Sequence, residues 1–298
     1  MTRRQEVEHQ RLSLAEVRDI MNSMKTLAYM ETRKLERYVN AENAVLDSIE
    51  DVAKDFISFH ADTLPATTGS TREEQATPVY VVIGTERGFC GDFNQALIRQ
   101  LDETLAGTDM GTGSQGSNII LVGHKLINTL DTEKLNDGML NTTKLVGASV
   151  VDEVLTVLEQ IVQKLSSLQQ QHGMLAVHAI YHDGQEGTAI TQLLPPFQHL
   201  REIRPQHADA PVLNIDPAEF LVELTEHYLL AALLSILYVS LDAENRHRVS
   251  HLEGAIKHMD EESEELARKS NTLRQEEIIE EIEVILLSAG NIEEDIKR

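Results

Sequence analysis

The sequence has almost no cysteine, because Cys90 is the only one among 298 residues. A single cysteine excludes a disulfide within the chain and any zinc site built on several cysteines. Tryptophan is absent, and aromatic residues make up only 4% of the chain. Such a composition is typical of long helices, in which leucine, isoleucine, alanine and charged residues dominate.

Positive charge is also scarce. The chain has 26 basic and 49 acidic residues and a formal net charge of −23, which disfavours binding to nucleic acid or to anionic lipid. The most apolar stretch, Leu229–Leu241, has about 13 residues, whereas a membrane span needs about 20. No apolar segment follows the N-terminus, so we expect neither a secretory signal nor a transmembrane segment. These features predict a soluble protein in a compartment that keeps thiols reduced.

Glycine and proline are missing from the N-terminal section, residues 12–63. Two mainly apolar series, three residues apart, each recur there every seven residues, which indicates a helix that packs along another helix. Fifty helical residues would extend about 75 Å, too far for one compact domain to cover. The first series is Val17, Met24, Glu31, Tyr38, Val45, Val52 and Phe59, and the second is Ile20, Leu27, Lys34 and Ala41.

The C-terminal section has the same character. Asp216 and Pro217 form an N-cap followed by proline at the first helical position, which predicts the start of a helix. Leu252, Met259 and Leu266 then recur every seven residues, and an unbroken helix would extend about 110 Å. The companion series of this seam is Ile256, Ser263 and Ser270. The simplest assembly pairs the two terminal helices in antiparallel fashion.

The middle of the chain differs from both ends. Apolar strand candidates alternate there with helical patterns, which favours an open α/β sheet. The strand candidates are 79–83, 118–122, 175–181 and 188–194. The predicted fold class is therefore α+β overall, a long antiparallel coiled coil of the terminal helices with an inserted Rossmann-like α/β domain. The predicted boundaries are 1–64 for the first helix, 65–77 for a linker, 78–205 for the inserted domain, and 206–298 for the second helix and its tip.

Three local patterns raise the question of an active site. Residues 84–91 follow a strand and are rich in glycine, but they lack the spacing of known phosphate-binding loops. Cys90 is either a nucleophile or, as we favour, a small buried side chain. His247 and His251 have the spacing of a metal-binding pair, although such pairs are common by chance. We expect no catalytic residue, cofactor or metal site.

Four patches resemble the gamma subunit of F-type ATP synthases, the central rotor shaft. The patch at 20–28 reads Ile-Met-Asn-Ser-Met-Lys-Thr-Leu-Ala, and the patch at 82–94 contains Gly-Thr-Glu-Arg-Gly-Phe-Cys-Gly. The other two are 190–195 and 254–279, so together the patches span nearly the whole chain. Threonine at 26, aspartate at 92 and the acidic tail depart from the family pattern and indicate a divergent member.

The resemblance implies a non-catalytic rotor that couples ion flow to ATP synthesis or hydrolysis. The implied partners are the alpha and beta subunits of the catalytic ring, an epsilon-type stalk subunit and the membrane ring of c subunits. The implied location is peripheral to the energy-coupling membrane, on its cytoplasmic or equivalent side. The implied contacts with the catalytic ring are Met24, Lys25, Arg87, Arg274 and Gln275.

Two further contact regions follow from the resemblance. The foot on the membrane ring is expected to contain Leu213, Asn214 and His124. The tip inside a sleeve of the catalytic ring is expected to contain Ile278, Ile282, Ile285 and Leu286, since a helix that is apolar all round is buried. The alternatives are a coiled-coil scaffold with an α/β module unrelated to ATP and an enzyme that uses Cys90.

Overall fold

The computed structural model describes residues 3–64, 76–107, 117–133, 141–184, 187–200 and 210–296. The chain forms two compact units, one of Met1–Leu27 with Val249–Arg298 and the other of Ala28–Arg248. We call them the terminal unit and the sheet unit. Most of the predicted linker, residues 65–77, lies outside the described residues, and strand β1 begins at Thr77.

Five helices and five strands make up the described chain, apart from short 3-10 turns. In chain order they are α1 (Arg3–His60), β1 (Thr77–Ile83), α2 (Phe93–Gly107), β2 (Asn118–Val122), α3 (His124–Glu133), β3 (Asn141–Leu145), α4 (Val154–His172), β4 (Leu175–Asp183), β5 (Gly187–Leu194) and α5 (Pro217–Ile296). Helices α1 and α5 contribute residues to both units. The predicted N-cap is confirmed, because the Asp216 carboxylate accepts the Ala218 N–H at 2.9 Å.

The five strands form one sheet in the order β3-β2-β1-β4-β5. The first four are parallel and β5 is antiparallel to β4. The central strand β1 is buried almost throughout, as its β-branched sequence predicts. Strand β3 and helix α3 were not predicted. Strand β3 is a polar edge strand, and its partly exposed sequence carries no hydrophobic signal.

The sheet unit has a hydrophobic core on each face of the sheet. Helix α4 and parts of α1 and α5 contribute to one core, and helices α2 and α3 contribute to the other. An 18-residue window of α5 has a mean hydropathy of 1.6, which meets the length and composition of a membrane span. Leu233, Leu237 and Leu241 in its apolar stretch are buried in the first core. The apolar stretch of α5 is therefore a core element of the sheet unit.

Within the sheet unit, α1 and α5 pair in antiparallel fashion. The rings of Tyr38 and Tyr238 lie 5.2 Å apart, and those of Phe56 and Phe220 lie 4.8 Å apart. Between these pairs, the Ser235 hydroxyl donates to the side-chain oxygen of Asn43 at 3.2 Å. As residue numbers rise along α1, those of the partners fall along α5.

The terminal unit shows the same direction of pairing. Arg4 contacts Glu277 at 2.9 Å, and Arg18 contacts Asp260 at 2.5 Å. A small core of Met21, Leu252 and Ile256 lies further along the two helices. Buried Ser270, a polar member of the predicted seam, donates to Glu8 at 2.6 Å. The predicted fold class, an antiparallel helix pair with an inserted α/β domain, is confirmed.

Candidate partner-binding surfaces

The turn after β1 is fixed to the segment that follows β2. The two strands are parallel, so their carboxyl ends lie at the same edge of the sheet. The backbone oxygen of Thr85 accepts the Lys125 N–H at 3.0 Å. The Glu86 carboxylate accepts the N–H groups of His124 at 2.9 Å and Gly147 at 2.8 Å. These bonds hold the turn and the start of α3 together.

Glycine at 123 is required by this arrangement. Gly123 has a φ of 113°, and a Cβ there would lie 2.7 Å from the backbone oxygen of Gly84. Any other residue would clash with the turn and would also be strained in its backbone. Asn94 completes the anchoring, because its side chain accepts the Thr85 N–H and donates to the Thr85 hydroxyl.

A buried charged cluster on α5 lies beneath the same turn. The Arg248 guanidinium bonds to the Glu244 carboxylate and donates to the Asn245 side chain at 2.8 Å. It also donates to the backbone oxygen of Gly88 at 3.2 Å. Both charged side chains are almost fully buried, with exposed fractions of 7% for Arg248 and 4% for Glu244. We call Glu244, Asn245 and Arg248 the buried clamp.

Burial changes the proton affinity of two groups at the clamp. It raises the pKa of the Glu244 carboxyl to about 7, and the adjacent Arg248 opposes this rise. It also raises the pKa of the Cys90 thiol to about 12, and the Glu244 charge adds to the effect. The Cys90 thiol is therefore protonated at neutral pH, and a protonated thiol is a poor nucleophile. This supports a packing role for Cys90.

Arg87 and His124 lie close together at this turn. Both are exposed, although the sequence assigned Arg87 to the catalytic-ring contact and His124 to the foot. The turn contacts α5 at Glu244, about 40 Å along the helix from its start at Pro217. Leu213 and Asn214 immediately precede that start. His124 therefore lies close to Arg87 in the structure. It does not lie close to Leu213 and Asn214, the other two predicted foot residues.

The other predicted ring contacts belong to the terminal unit. Met24 packs against the small core of that unit. Lys25 lies 4.0 Å from Glu253, whose side chain is 71% exposed. Such an exposed pair contributes about 0–1 kcal/mol, so Lys25 can exchange it for another partner. Arg274 and Gln275 are both exposed.

The predicted tip is exposed in the chain by itself. The exposed fractions are 46% for Ile278, 51% for Ile282, 64% for Ile285 and 66% for Leu286. Glutamates alternate with these residues along the helix. Large apolar side chains in such number are typical of a surface that a partner covers.

The predicted foot residues precede α5 in the sheet unit. Leu213 is partly buried against the first core, and Asn214 is exposed. The neighbouring Val212 is 94% exposed.

The histidines that suggested a metal pair have other surroundings. His247 lies edge-on to the ring of Phe93 and 5.5 Å from the ring of His182. Within the described part of the chain, no three His, Cys, Asp or Glu side chains are arranged to hold a metal ion.

The sequence and the fold were compared with known proteins. The family profile described as ATP synthase matches residues 3–290. The ATP synthase gamma chain of Clostridium botulinum (strain Langeland) is 23% identical over 284 residues, which cover 92% of this chain and 93% of that relative. The ATP synthase gamma chain of Clostridium beijerinckii is 25% identical over 287 residues, or 93% and 94% of the two chains.

Solved structures with the same fold come from mitochondrial ATP synthases. One is a chain of the Euglena gracilis rotor in rotational state 1, with a TM-score of 0.61, 15% identity, and coverage of 92% of this chain and 98% of that chain. Another is a chain of the Tetrahymena thermophila central stalk and c-ring, with a TM-score of 0.54, 17% identity, and coverage of 79% and 99%.

The fold defines a class of protein, a chain whose two terminal helices pair in antiparallel fashion and whose middle part forms an α/β sheet domain. The profile match over nearly the whole chain makes the assignment specific. The chain belongs to the ATP synthase gamma-chain family, and its function is that of a central-stalk subunit of an F-type ATP synthase.

The buried clamp is the main feature that sequence reasoning missed. Glu244 and Arg248 directly follow the apolar stretch of α5 and are four residues apart on one helix face. These two charged residues lie on the same helix face as the buried leucines before them, and this position could have indicated that they are buried. The pattern does not by itself separate a buried pair from an exposed one.

Proposed function

We propose that this chain is the rotor that couples ion flow through a membrane sector to ATP synthesis or hydrolysis in a catalytic ring. The observation that carries the proposal is the antiparallel pairing of α1 with α5, which is present in each unit. The related proteins are named as an ATP synthase gamma chain, as part of an ATP synthase rotor and as part of a central stalk.

The pairing supplies the asymmetry that rotary coupling requires. Two helices of different sequence present different side chains in each direction around the pair. Three equivalent catalytic sites around such a shaft would each meet a different surface. A conformational equilibrium shifts only when the contacts differ between its states, so rotation would favour binding, reaction and release at the three sites in turn.

Specific residues suit the contacts with the catalytic ring. Exposed Arg274 and Gln275 would hydrogen-bond a loop of a catalytic subunit, and a guanidinium can hold a carboxylate through two parallel bonds. Met24 and Lys25 would face the moving part of the catalytic subunits, with Lys25 forming a weak pair that breaks in each turn. Arg87 would contact the ring from the turn after β1.

The tip would lie in an apolar sleeve of the catalytic ring. Ile278, Ile282, Ile285 and Leu286 are all exposed in the chain alone, and covering them would bury a large apolar area. Leu213 and Asn214, before the start of α5, would rest on the membrane ring of c subunits. An epsilon-type subunit would complete the stalk on the cytoplasmic or equivalent side of the membrane.

The chain itself would carry no catalytic residue. Cys90 is buried with a raised pKa, and its sulfur points to backbone oxygens of Gly88 and Glu244. The alanine variant Cys90→Ala should therefore retain rotor function.

Co-purification with the catalytic subunits tests the proposal. We expect two kinds of nucleotide-binding subunit to co-purify with the tagged full-length chain, and the family resemblance implies about three copies of each. The purified complex should hydrolyse ATP. The double variant Arg274→Ala/Gln275→Ala should lower that hydrolysis, whereas Glu261→Ala, an exposed change on the same helix, should not. Isolation of the chain without any nucleotide-binding subunit would contradict the proposal.

A further inference from the structure

Two histidines lie on the same face of strand β4. Side chains alternate between the two faces of a strand, so His178 and His182 face the same core as Ile180. This is the core to which helices α2 and α3 contribute, here called the second core. His182 is only 4% exposed. Histidine is the side chain whose ordinary pKa, about 6.5, lies closest to neutral pH.

His182 attaches the sheet to the first residue of α2. Its Nε2 atom lies 2.9 Å from the backbone oxygen of Phe93, and the centres of the two rings lie 3.8 Å apart. A carbonyl oxygen can only accept a hydrogen bond, so Nε2 carries the proton and donates it. In the neutral ring the other nitrogen, Nδ1, therefore has no proton.

The Nδ1 atoms of both histidines are enclosed by the protein. Each is buried and has no hydrogen-bond partner among the residues that the structure describes. Protonation would place a positive charge and an N–H donor without an acceptor at this position. Burial of an unpaired charge costs far more free energy than burial of a neutral ring. Proton uptake therefore opposes the packing of these histidines in the second core.

The groups around His182 do not neutralise an added proton. On α5, His247 lies 5.5 Å from the His182 ring and would repel its charge. Strand β5 places the uncharged Thr188 opposite His182. The acid of the buried clamp on α5 is already paired with its arginine. Asp92, before α2, favours the proton, but its side chain is exposed to water.

Both histidines bind protons more weakly in the folded chain. Burial lowers the pKa of His182, and the repulsion by His247 adds to this fall. The backbone groups of Phe93 and Gly187 oppose the fall without reversing it. Burial also lowers the pKa of His178, whose ring is stacked on the uncharged phenol of Tyr80 with ring centres 5.6 Å apart.

We propose that His178 and His182 form an acid-sensitive latch, which holds α2 on the sheet while both rings are neutral and releases it when they take up protons. Release also loosens the turn after β1, because Asn94 of α2 holds Thr85 through two hydrogen bonds. The latch makes the rigidity of the inserted domain depend on pH. This property goes beyond the rotor role and does not depend on it.

The direction of the pH effect follows from the two states of α2. In the released state the rings are in water, where the histidine pKa is about 6.5. In the docked state the pKa is lower, so the released state binds more protons below about pH 6.5. The docked state is therefore fully favoured above that pH and loses stability as pH falls through it. Each histidine changes the docking equilibrium by at most about tenfold per pH unit.

Hydrogen exchange of the full-length chain tests the latch. The measured quantity is the equilibrium constant for local opening, corrected for the pH dependence of chemical exchange. For the amides of α2 this constant should rise at least about threefold from pH 7.5 to pH 5.5. The amides of α4, which packs in the first core, should show no such rise. No rise in α2, or an equal rise in both helices, would overturn the proposal.

Substitution by glutamine separates protonation from packing. The amide of His182→Gln can still donate to the Phe93 oxygen but does not titrate. The acid-dependent rise in α2 opening should fall by half or more in His182→Gln and disappear in His178→Gln/His182→Gln. His227→Gln, a change of an exposed histidine on α5, is the matched control and should keep the full rise. A rise in the double variant equal to that of the control would overturn the proposal.

The wild-type chain provides a test that needs no variant. NMR of the His182 ring at neutral pH should show the proton on Nε2, and its titration midpoint should lie below the ordinary value of about 6.5. A midpoint at or above that value would overturn the proposal, because the docked and released states would then bind protons equally or in the opposite order.

Discussion

Residues 242–248 of α5 contain two ion pairs of equal spacing in different surroundings. Asp242 and Arg246 are four residues apart and form an outer pair in which the Asp242 side chain is 14% exposed and the Arg246 side chain is 55% exposed. Glu244 and Arg248 have the same spacing but are buried beneath the turn after β1. The pairs thus provide a matched comparison on one helix, in which burial of the arginine side chain is the main difference.

Arg248→Met should strongly destabilise the chain. The substitution leaves the Glu244 carboxyl buried without its cation, and breaking a buried pair in this way costs about 3–5 kcal/mol. Arg246→Met, the control, removes a 55% exposed guanidinium, so it should lower the free energy of unfolding by clearly less than Arg248→Met does. Denaturant unfolding of both variants measures the difference, and equal losses would show that the clamp contributes no more than a surface pair.

The loss in Arg248→Met should also grow with pH. Burial raises the pKa of Glu244 to about 7, above its value of about 4.3 in unfolded chains. The folded state therefore binds more protons between these values, and stability falls as pH rises through them. Without Arg248 the pKa of Glu244 rises further, so the stability gap between wild type and variant should widen from pH 5 to pH 8. A gap that stays constant would contradict this assignment.

The sequence could predict the turn but not the clamp. The Gly-Thr-Glu-Arg-Gly-Phe-Cys-Gly segment follows a buried strand, so its position at the edge of the sheet was predictable. The spacing of Glu244 and Arg248 is the same as that of the partly buried Asp242 and the exposed Arg246. Only the tertiary contact of α5 with the turn determines which pair is buried.

At the scale of elements, the apolar strands were predictable and the polar edge strand β3 was not. Strand β2 has the predicted bounds, and β1, β4 and β5 differ from the prediction by a few residues. Strand β3 is polar, and its pairing with β2 depends on a position in the sheet that its own sequence does not encode. Helix α3 was missed with it, since a parallel connection between β2 and β3 requires a crossover.

The antiparallel register of α1 and α5 can be tested by cross-linking. In a Cys90→Ser background, Asn43→Cys/Ser235→Cys should form a disulfide on mild oxidation, because the two native side chains are in hydrogen-bond contact. Ser48→Cys/Ser235→Cys, shifted by more than one helical turn, should not. The disulfide is detected by its mobility shift on non-reducing gels. Cross-linking of the shifted pair alone would require a different register.

At the scale of the whole molecule, the sequence indicated that a partner is needed. The tip is apolar around most of its circumference, which predicts burial, yet its residues are exposed in the single chain. We therefore propose that the tip is buried only in an assembly. The seven-residue repeats at the two ends of the chain predicted the helix pairing, although some residues of these repeats are polar. One of them, Ser270, hydrogen-bonds to Glu8 on the other helix.

Truncation of α5 tests the role of the tip. A chain that ends at Lys269 lacks the exposed apolar residues and also loses the contacts of Glu8 with Ser270 and of Arg4 with Glu277. We expect at least a tenfold fall in rotation-coupled ATP hydrolysis by the reconstituted complex. A chain that ends at Gly290 retains Ile278–Leu286 and should behave like the full chain. Unchanged hydrolysis with the shorter chain would exclude the sleeve contact.

Rotation of the chain within its catalytic ring is the most direct test of the account. The ring is fixed to a surface, and a bead is attached to the chain through Val212→Cys, a position whose native side chain is 94% exposed. The account predicts that ATP drives rotation of the bead in one direction, in steps set by the threefold ring. A bead that stays still while the ring hydrolyses ATP at its full rate would contradict it.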